Sequence, residues 1–178
     1  MGGKASLYLL LAGRALRPIR FPASRTGSFS VLPQRGKDFG LRVERAFGFL
    51  LGRHAKAVII GTDSPELRGQ TLLNALSELR WCHSVLGPCP DGGYYLIGLR
   101  REAMAMKRTL LRGIRWGTEW ALADTMRNLL SAGLSCSQLS PERDVDLPKD
   151  LFALRGRMRR QVALRRRAPA TWRFLRQL

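Results

Sequence analysis

Ala57-Val58-Ile59-Ile60-Gly61-Thr62-Asp63-Ser64-Pro65 is the stretch whose reading decides the fold. Its four leading apolar residues, rich in β-branches, have the length of a buried strand and are too short for a helix. Gly61 frees the backbone where the run ends. Asp63 then stands at the carboxyl end of the strand, where open α/β sheets bind their ligands, and a carboxylate there can hold a divalent cation through hard oxygen donors. Ser64 suits an N-cap and Pro65 the first helical position, which predicts a helix starting at once. On this segment alone, Asp63 serves equally well as a cap for that helix.

Working outward, residues 7–12 and 28–32 read as strands joined by an Arg- and Pro-containing connection from Gly13 to Gly27. Gly36 and Gly40 punctuate a turn-rich loop, and residues 41–51 form a helix with Val43, Ala46, Phe47 and Leu50 as its apolar stripe. Downstream of the opening strand, a helix is expected over residues 65–81, with Leu72, Leu73, Leu76 and Leu79 toward the sheet. Short strands follow at 84–88 and 94–99, then a helix at 103–111. A further helix is opened by Thr118 and Glu119 and buries Leu122, Met126, Leu129 and Leu130. Residues 134–139 make a final strand, and Pro148 opens a last helix. Strands alternating with helices predict an α/β fold, a three-layer sandwich around a mostly parallel sheet.

The chain of 178 residues is long enough to bury a core without staples, and by length it is one domain. Cys82, Cys89 and Cys136 are an odd number without a C-x-x-C pair, which argues against a disulfide framework or a zinc site and fits a reducing, cytoplasmic setting. No apolar run approaches the roughly 20 residues of a membrane span. The stretch after Lys4 is a poor signal peptide, and Met1-Gly2-Gly3-Lys4-Ala5-Ser6 fits the myristoylation pattern only as a short motif that arises often by chance.

The net charge of +18 is the kind of balance that nucleic-acid binding proteins carry. Nine of the 31 basic residues, however, are arginines between Arg155 and Leu178, a stretch without an acid. The remainder is scattered and reads more plainly as a solvated surface. Nucleic acid is therefore a possible partner of residues 155–178, though not the favoured one.

Two further segments could carry chemistry. In Asp91-Gly92-Gly93-Tyr94-Tyr95 the paired glycines let a backbone approach a ligand closely, although a plain turn explains Asp-Gly-Gly as well. Tyr94 and Tyr95 point to opposite faces of a strand, so at most one of them reaches a site. In Arg143-Asp144-Val145-Asp146-Leu147-Pro148, the carboxylates of Asp144 and Asp146 lie on one side of an extended segment. They repel unless a cation compensates them, so such pairs often mark a magnesium or manganese site; the alternative is that Asp146 caps the helix begun by Pro148.

Taken in order, Gly61-Thr62-Asp63-Ser64-Pro65, Leu86-Gly87-Pro88, Asp91-Gly92-Gly93-Tyr94-Tyr95-Leu96-Ile97-Gly98-Leu99, Ile114-Arg115-Trp116-Gly117-Thr118-Glu119 and Arg143-Asp144-Val145-Asp146 resemble a family of bacterial glycosyltransferases. This is the arsenosugar-biosynthesis type within the nucleotide-diphospho-sugar transferase superfamily. The resemblance starts upstream at Pro33-Gln34-x-Gly36-x-Asp38-x-Gly40 and covers residues 32–154.

The resemblance implies a GT-A-like domain over residues 1–154, followed by a basic helical tail over 155–178. It further implies a nucleotide sugar or nucleoside triphosphate as substrate and Mg2+ or Mn2+ as cofactor. Asp63, Asp144 and Asp146 would hold the metal, and Asp91 would act as base toward the acceptor. Gly92, Gly93, Tyr94, Trp116 and Thr118 would line the substrate pocket.

Two departures stand out. Relatives carry a first strand followed by a basic loop of the P-G-x-x-K-T-R-L kind that grips phosphates. Here Gly2-Gly3-Lys4 precedes the strand, so the chain reads as shortened at its N-terminus or descended from a lineage without that loop. Leu147 replaces the helix-capping Thr of relatives. The rival reading is a non-catalytic remnant whose basic tail binds nucleic acid or an acidic surface.

Overall fold

The computed structural model describes residues 6–11, 30–106 and 109–178. Strands β1 (Tyr8–Leu11) and β2 (Ser30–Pro33) precede helix α1 (Phe39–Leu51), strand β3 (Lys56–Ile60) and helix α2 (Gly69–Glu78). Then come β4 (Ser84–Pro88), β5 (Tyr94–Arg100), α3 (Arg101–Met106), α4 (Ala121–Ser131) and β6 (Cys136–Gln138). Three helices, α5 (Pro148–Arg160), α6 (Val162–Arg167) and α7 (Pro169–Leu175), close the chain. The expected connection from Gly13 to Gly27 and the Gly2-Gly3-Lys4 segment lie outside the described residues.

Helix α1 forms where its apolar stripe demands it. Asp38 has extended backbone (φ −131°, ψ 170°), and its Oδ1 accepts from the Leu41 amide at 2.7 Å, which satisfies one orphan donor of the first turn. Val43, Ala46, Phe47 and Leu50 are buried as their spacing predicts. Phe47 is 0% exposed, so truncating it to alanine should cost about 3–5 kcal/mol.

Side chains alternate across the central strands and so feed two cores. Leu86, Ile97 and Leu99 meet α1, α3 and α4 on one face. Val85 and Leu96 meet Ala75 of α2 and Leu79 just past its end on the other, where Tyr95 joins them because the β4–β5 register shifts at that point. A third cluster of Leu154, Met158, Leu164 and Leu175 binds α5, α6 and α7 together, with Val145 packed against it. The basic end of the chain is thus helical and rests on the loop that carries Asp144 and Asp146. Helix α5 runs through residue 154 without a break.

The mostly parallel sheet is not what forms. The larger sheet has the order β3-β5-β4-β6, in which β3–β5 and β4–β5 are antiparallel and only β4–β6 is parallel. The reason is local: β5 follows β4 after the short turn 89–93, and so tight a connection can only return antiparallel, whereas a parallel partner needs a long crossover. Strands β1 and β2 pair in parallel as a separate two-stranded sheet.

The helix expected from Pro65 begins instead at Gly69, capped by the Arg68 backbone without a side-chain bond. Pro65 and Glu66 form a turn closed by the Leu67 amide donating to Ser64 O at 3.1 Å. Leu73 and Leu130, both expected to face the core, are 60% and 61% exposed, whereas Leu79 and Leu129 are buried as expected and Ala75 joins them.

Candidate functional site

Three chain segments converge beyond the carboxyl ends of β3 and β4. The Val145 amide donates to Asp63 O at 3.0 Å, pinning the loop that carries Asp144 and Asp146 to the segment after β3. The Glu142 amide donates to Pro88 O at 3.1 Å, tying the same loop to the end of β4. In the turn between β4 and β5, the Cys89 amide donates to Gly93 O and the Gly92 amide to Cys89 O, while Asp91 Oδ1 accepts from the Gly93 amide at 3.0 Å.

Gly92 has φ +89°, and a Cβ there would collide with the Glu119 backbone at the approach to α4. The glycine pair therefore serves a tight turn packed against α4, and the turn sets Asp91 facing the loop from Asp144.

Sγ of Cys89 and carboxylate oxygens of Asp91 and Asp144 lie within 4.8 Å of one another, a spacing that could hold a metal ion. Asp63 and Asp146 stand close enough to be felt there. Burial, then the charges of Asp144, Asp63, Asp91 and Asp150, raise the Asp146 carboxyl above its ordinary range. Burial, a hydrogen bond to Asp144 and the charges of Asp144, Asp91 and Asp63 push the Cys89 thiol up as well. Among the described residues, none of Asp63, Asp91, Asp144 and Asp146 takes part in an ion pair. The donor set fits a divalent cation: oxygen donors suit magnesium or manganese, and the buried thiol adds one soft donor.

Neither capping alternative accounts for these acids. Helix α2 starts six residues beyond Asp63. At α5 the cap position is Leu147, whose amide donates to Asp150 Oδ2 at 2.9 Å, so Asp146 is not used. Ser64, expected as a cap, is 8% exposed, and its hydroxyl has no hydrogen-bond partner among the described residues.

A cleft of about 310 Å³ opens beside the cluster, lined by Asp91, Asp144, Asp146 and Asp150 together with Arg143, Lys149 and Arg157. The remaining expected site residues sit elsewhere. Tyr94 turns to the α4 face, where its hydroxyl accepts from Thr125 Oγ1 at 3.2 Å and its ring meets Trp116 edge-on at 5.9 Å. Burial pushes its hydroxyl well above the ordinary range. Trp116 also packs against Phe39 at 4.9 Å. Thr118 Oγ1 donates to Arg115 O at 2.7 Å and holds the turn ahead of α4. Tyr95 faces the opposite core and donates to Ser140 O at 3.1 Å; burial pushes its hydroxyl up to about 12.

Cys89 belongs to no cysteine motif, so its position two residues before Asp91 is the one signal of it in the sequence. Asp124 is not singled out by the sequence. It is 0% exposed, takes Nε and Nη2 of Arg115 at 2.8 and 2.9 Å and the Arg115 amide at 3.1 Å, and pairs with Arg127 at 2.8 Å. These bonds, led by those from Arg115, hold its carboxyl far below the usual carboxylate range.

This frame matches known proteins. Residues 3–118 match the family described as "uncharacterized protein conserved in bacteria (DUF2064)". The chain belongs to the DUF2064 family. Among solved structures, it is similar to a "putative nucleotide-diphospho-sugar transferase" from Desulfovibrio desulfuricans G20, with a TM-score of 0.83 and 30% identity. That similarity covers 97% of this chain and 74% of the other. No curated protein matches it. This DUF2064 chain therefore has a mixed α/β fold like that of a nucleotide-diphospho-sugar transferase and is glycosyltransferase-like at that level. No helix among its described residues is long and apolar enough to cross a membrane.

Proposed function

We propose that the protein is a cytoplasmic, metal-assisted transferase that uses a nucleotide sugar, or a related nucleotidyltransferase using a nucleoside triphosphate. The observation that carries the reading is the convergence of Asp63, Asp91, Asp144 and Asp146, from three separate segments, without an ion-pair partner for any of them among the described residues. Keeping like charges together is costly unless a cation joins them.

Asp144, Asp146 and Asp63 would hold Mg2+ or Mn2+, with Cys89 and Asp91 beside them. The cation, when bound, neutralises charge on the diphosphate oxygens of the leaving group. Asp91, exposed on its turn, would take a proton from an acceptor hydroxyl. Gly92 and Gly93 shape the turn that presents it. Tyr94, Trp116 and Thr118, which pack on the α4 face away from the cleft, would act only by bracing the turn that carries Asp91. Arsenosugar-type chemistry is the substrate class that the sequence resemblance suggests.

A thermal-shift screen of nucleotide sugars and nucleoside triphosphates with Mg2+ or Mn2+ tests the reading. A true ligand at about 100 times its Kd should raise Tm by roughly 5–10 °C. The rise should vanish in Asp63→Ala and Asp144→Asn. No shift with any nucleotide in the intact protein would refute the proposal.

A second reading, a non-catalytic remnant whose basic tail binds nucleic acid or an acidic surface, draws on the nine arginines from residue 155 onward. Binding to random duplex DNA that weakens steeply with salt and is lost in Arg165→Gln/Arg166→Gln/Arg167→Gln would favour it.

A further inference from the structure

One face of α5 lines the cleft with Lys149, Asp150, Ala153 and Arg157, spaced three and four residues apart. Ala153 leaves the middle of that face open, and Arg143 enters from the loop ahead of it. The cleft's volume falls at the small end of the roughly 300–1,000 Å³ range of ligand pockets.

The three cations differ in what occupies them. Arg157 is clamped by Glu66 through both carboxylate oxygens, so its charge is matched within the protein. Among the described residues, Arg143 and Lys149 form no ion pair and no side-chain hydrogen bond, although both line a cleft with four carboxylates. Lys149 moreover sits in the first turn of α5, where a cation opposes the helix dipole and weakens the helix. Helix stability therefore does not explain it; a negatively charged ligand at that end of the helix would.

We propose that Arg143 and Lys149 grip the diphosphate of the ligand, so that the phosphate-holding charge of this site is supplied from the C-terminal side of the cleft. This rests on the transferase reading of the same site. The acids alone would repel a diphosphate. A divalent cation cancels part of that repulsion, and the guanidinium fork of Arg143 with the ammonium of Lys149 matches phosphate oxygens that the cation does not reach.

The test is isothermal titration calorimetry on the full chain, with Mn2+ alone and then with methylenediphosphonate at saturating Mn2+. Arg143→Gln/Lys149→Gln should weaken diphosphonate binding about tenfold or more, without weakening Mn2+ alone. Arg159→Gln/Arg160→Gln, which removes the same charge from exposed positions of α5 outside the cleft lining, should leave diphosphonate binding unchanged. Both cleft side chains are exposed, so their truncation leaves the core intact.

Equal loss in the two double variants, or no loss in the first, would overturn the proposal while leaving the metal site standing. Mn2+ binding without any diphosphonate binding in the unaltered protein would also overturn it. Absence of both would remove the transferase reading together with it.

Discussion

The protein holds carboxylates in two contrasting settings, one buried and one gathered at the mouth of a cleft. At Asp124, Arg115 and Arg127 close on a carboxylate that is 0% exposed, and the charge is settled inside the fold. At Asp91, Asp144 and Asp146, with Asp63 behind them, carboxylates face one another with no ion pair among the described residues. The first latches the turn before α4 to the body of that helix. The second could be completed by a cation from outside. The direction of the titration shifts states the same contrast: Asp124 is held far below its ordinary range, whereas Asp146 is raised above it.

The comparison can be broken most sharply at Asp144. Asp144→Asn should cut Mn2+ affinity by about 100-fold or more, measured by calorimetry, while Tm in chelator stays the same or rises slightly. Equal Mn2+ affinity in this variant would place the metal elsewhere.

Asp124→Asn should do the reverse, lowering Tm with no direct effect on Mn2+ affinity, because it leaves two arginines without their partner. Its pH signature follows from the lowered carboxyl. The native state binds fewer protons there than the unfolded chain, so this stabilisation is complete above the unfolded value near about 4 and is lost as pH falls toward the folded one. Acid unfolding curves should therefore differ between the protein and the variant above about pH 4 and converge well below it.

Asp146 should show the opposite sign. Its raised carboxyl means that the native state holds its proton longer, so metal-free stability declines as pH rises from about 4 through the folded value. Asp146→Asn should then raise Tm in chelator only slightly at neutral pH, because solvent screens the exposed carboxylate, and should weaken Mn2+ binding. A fall in Tm would mean that Asp146 has a stabilising partner.

The smallest effect is expected at Cys89. Cys89→Ser should leave Mn2+ affinity within a few-fold and lower Zn2+ affinity more, since the thiol is the soft donor of the set. Competition between the two metals measures it.

Much of this was legible in short windows of sequence. The run 57–60 became β3, the stripe of Val43, Ala46, Phe47 and Leu50 was buried in α1, and Pro148 opened α5. Period and turn chemistry act over a few residues, and the sequence states them directly. Windows failed where a local signal had a rival: Ser64-Pro65 read as a helix start and formed a turn, because Leu67 closes back on Ser64 before α2 begins. They failed too where direction mattered, since nothing within β5 itself says that it runs against both of its neighbours.

What the sequence determined by itself is therefore the inventory: the strand that ends at Asp63, the glycine turn beside Asp91, the paired acids at 144 and 146, and the family order of these motifs. Only the tertiary structure decided which acids are partners. The backbone bond from Val145 to Asp63, the apposition of Cys89 with Asp144 and the enclosure of Asp124 by Arg115 and Arg127 depend on how distant loops and helices pack. Charge acts through distances of a few ångströms, and chain position does not encode those distances until the chain is folded.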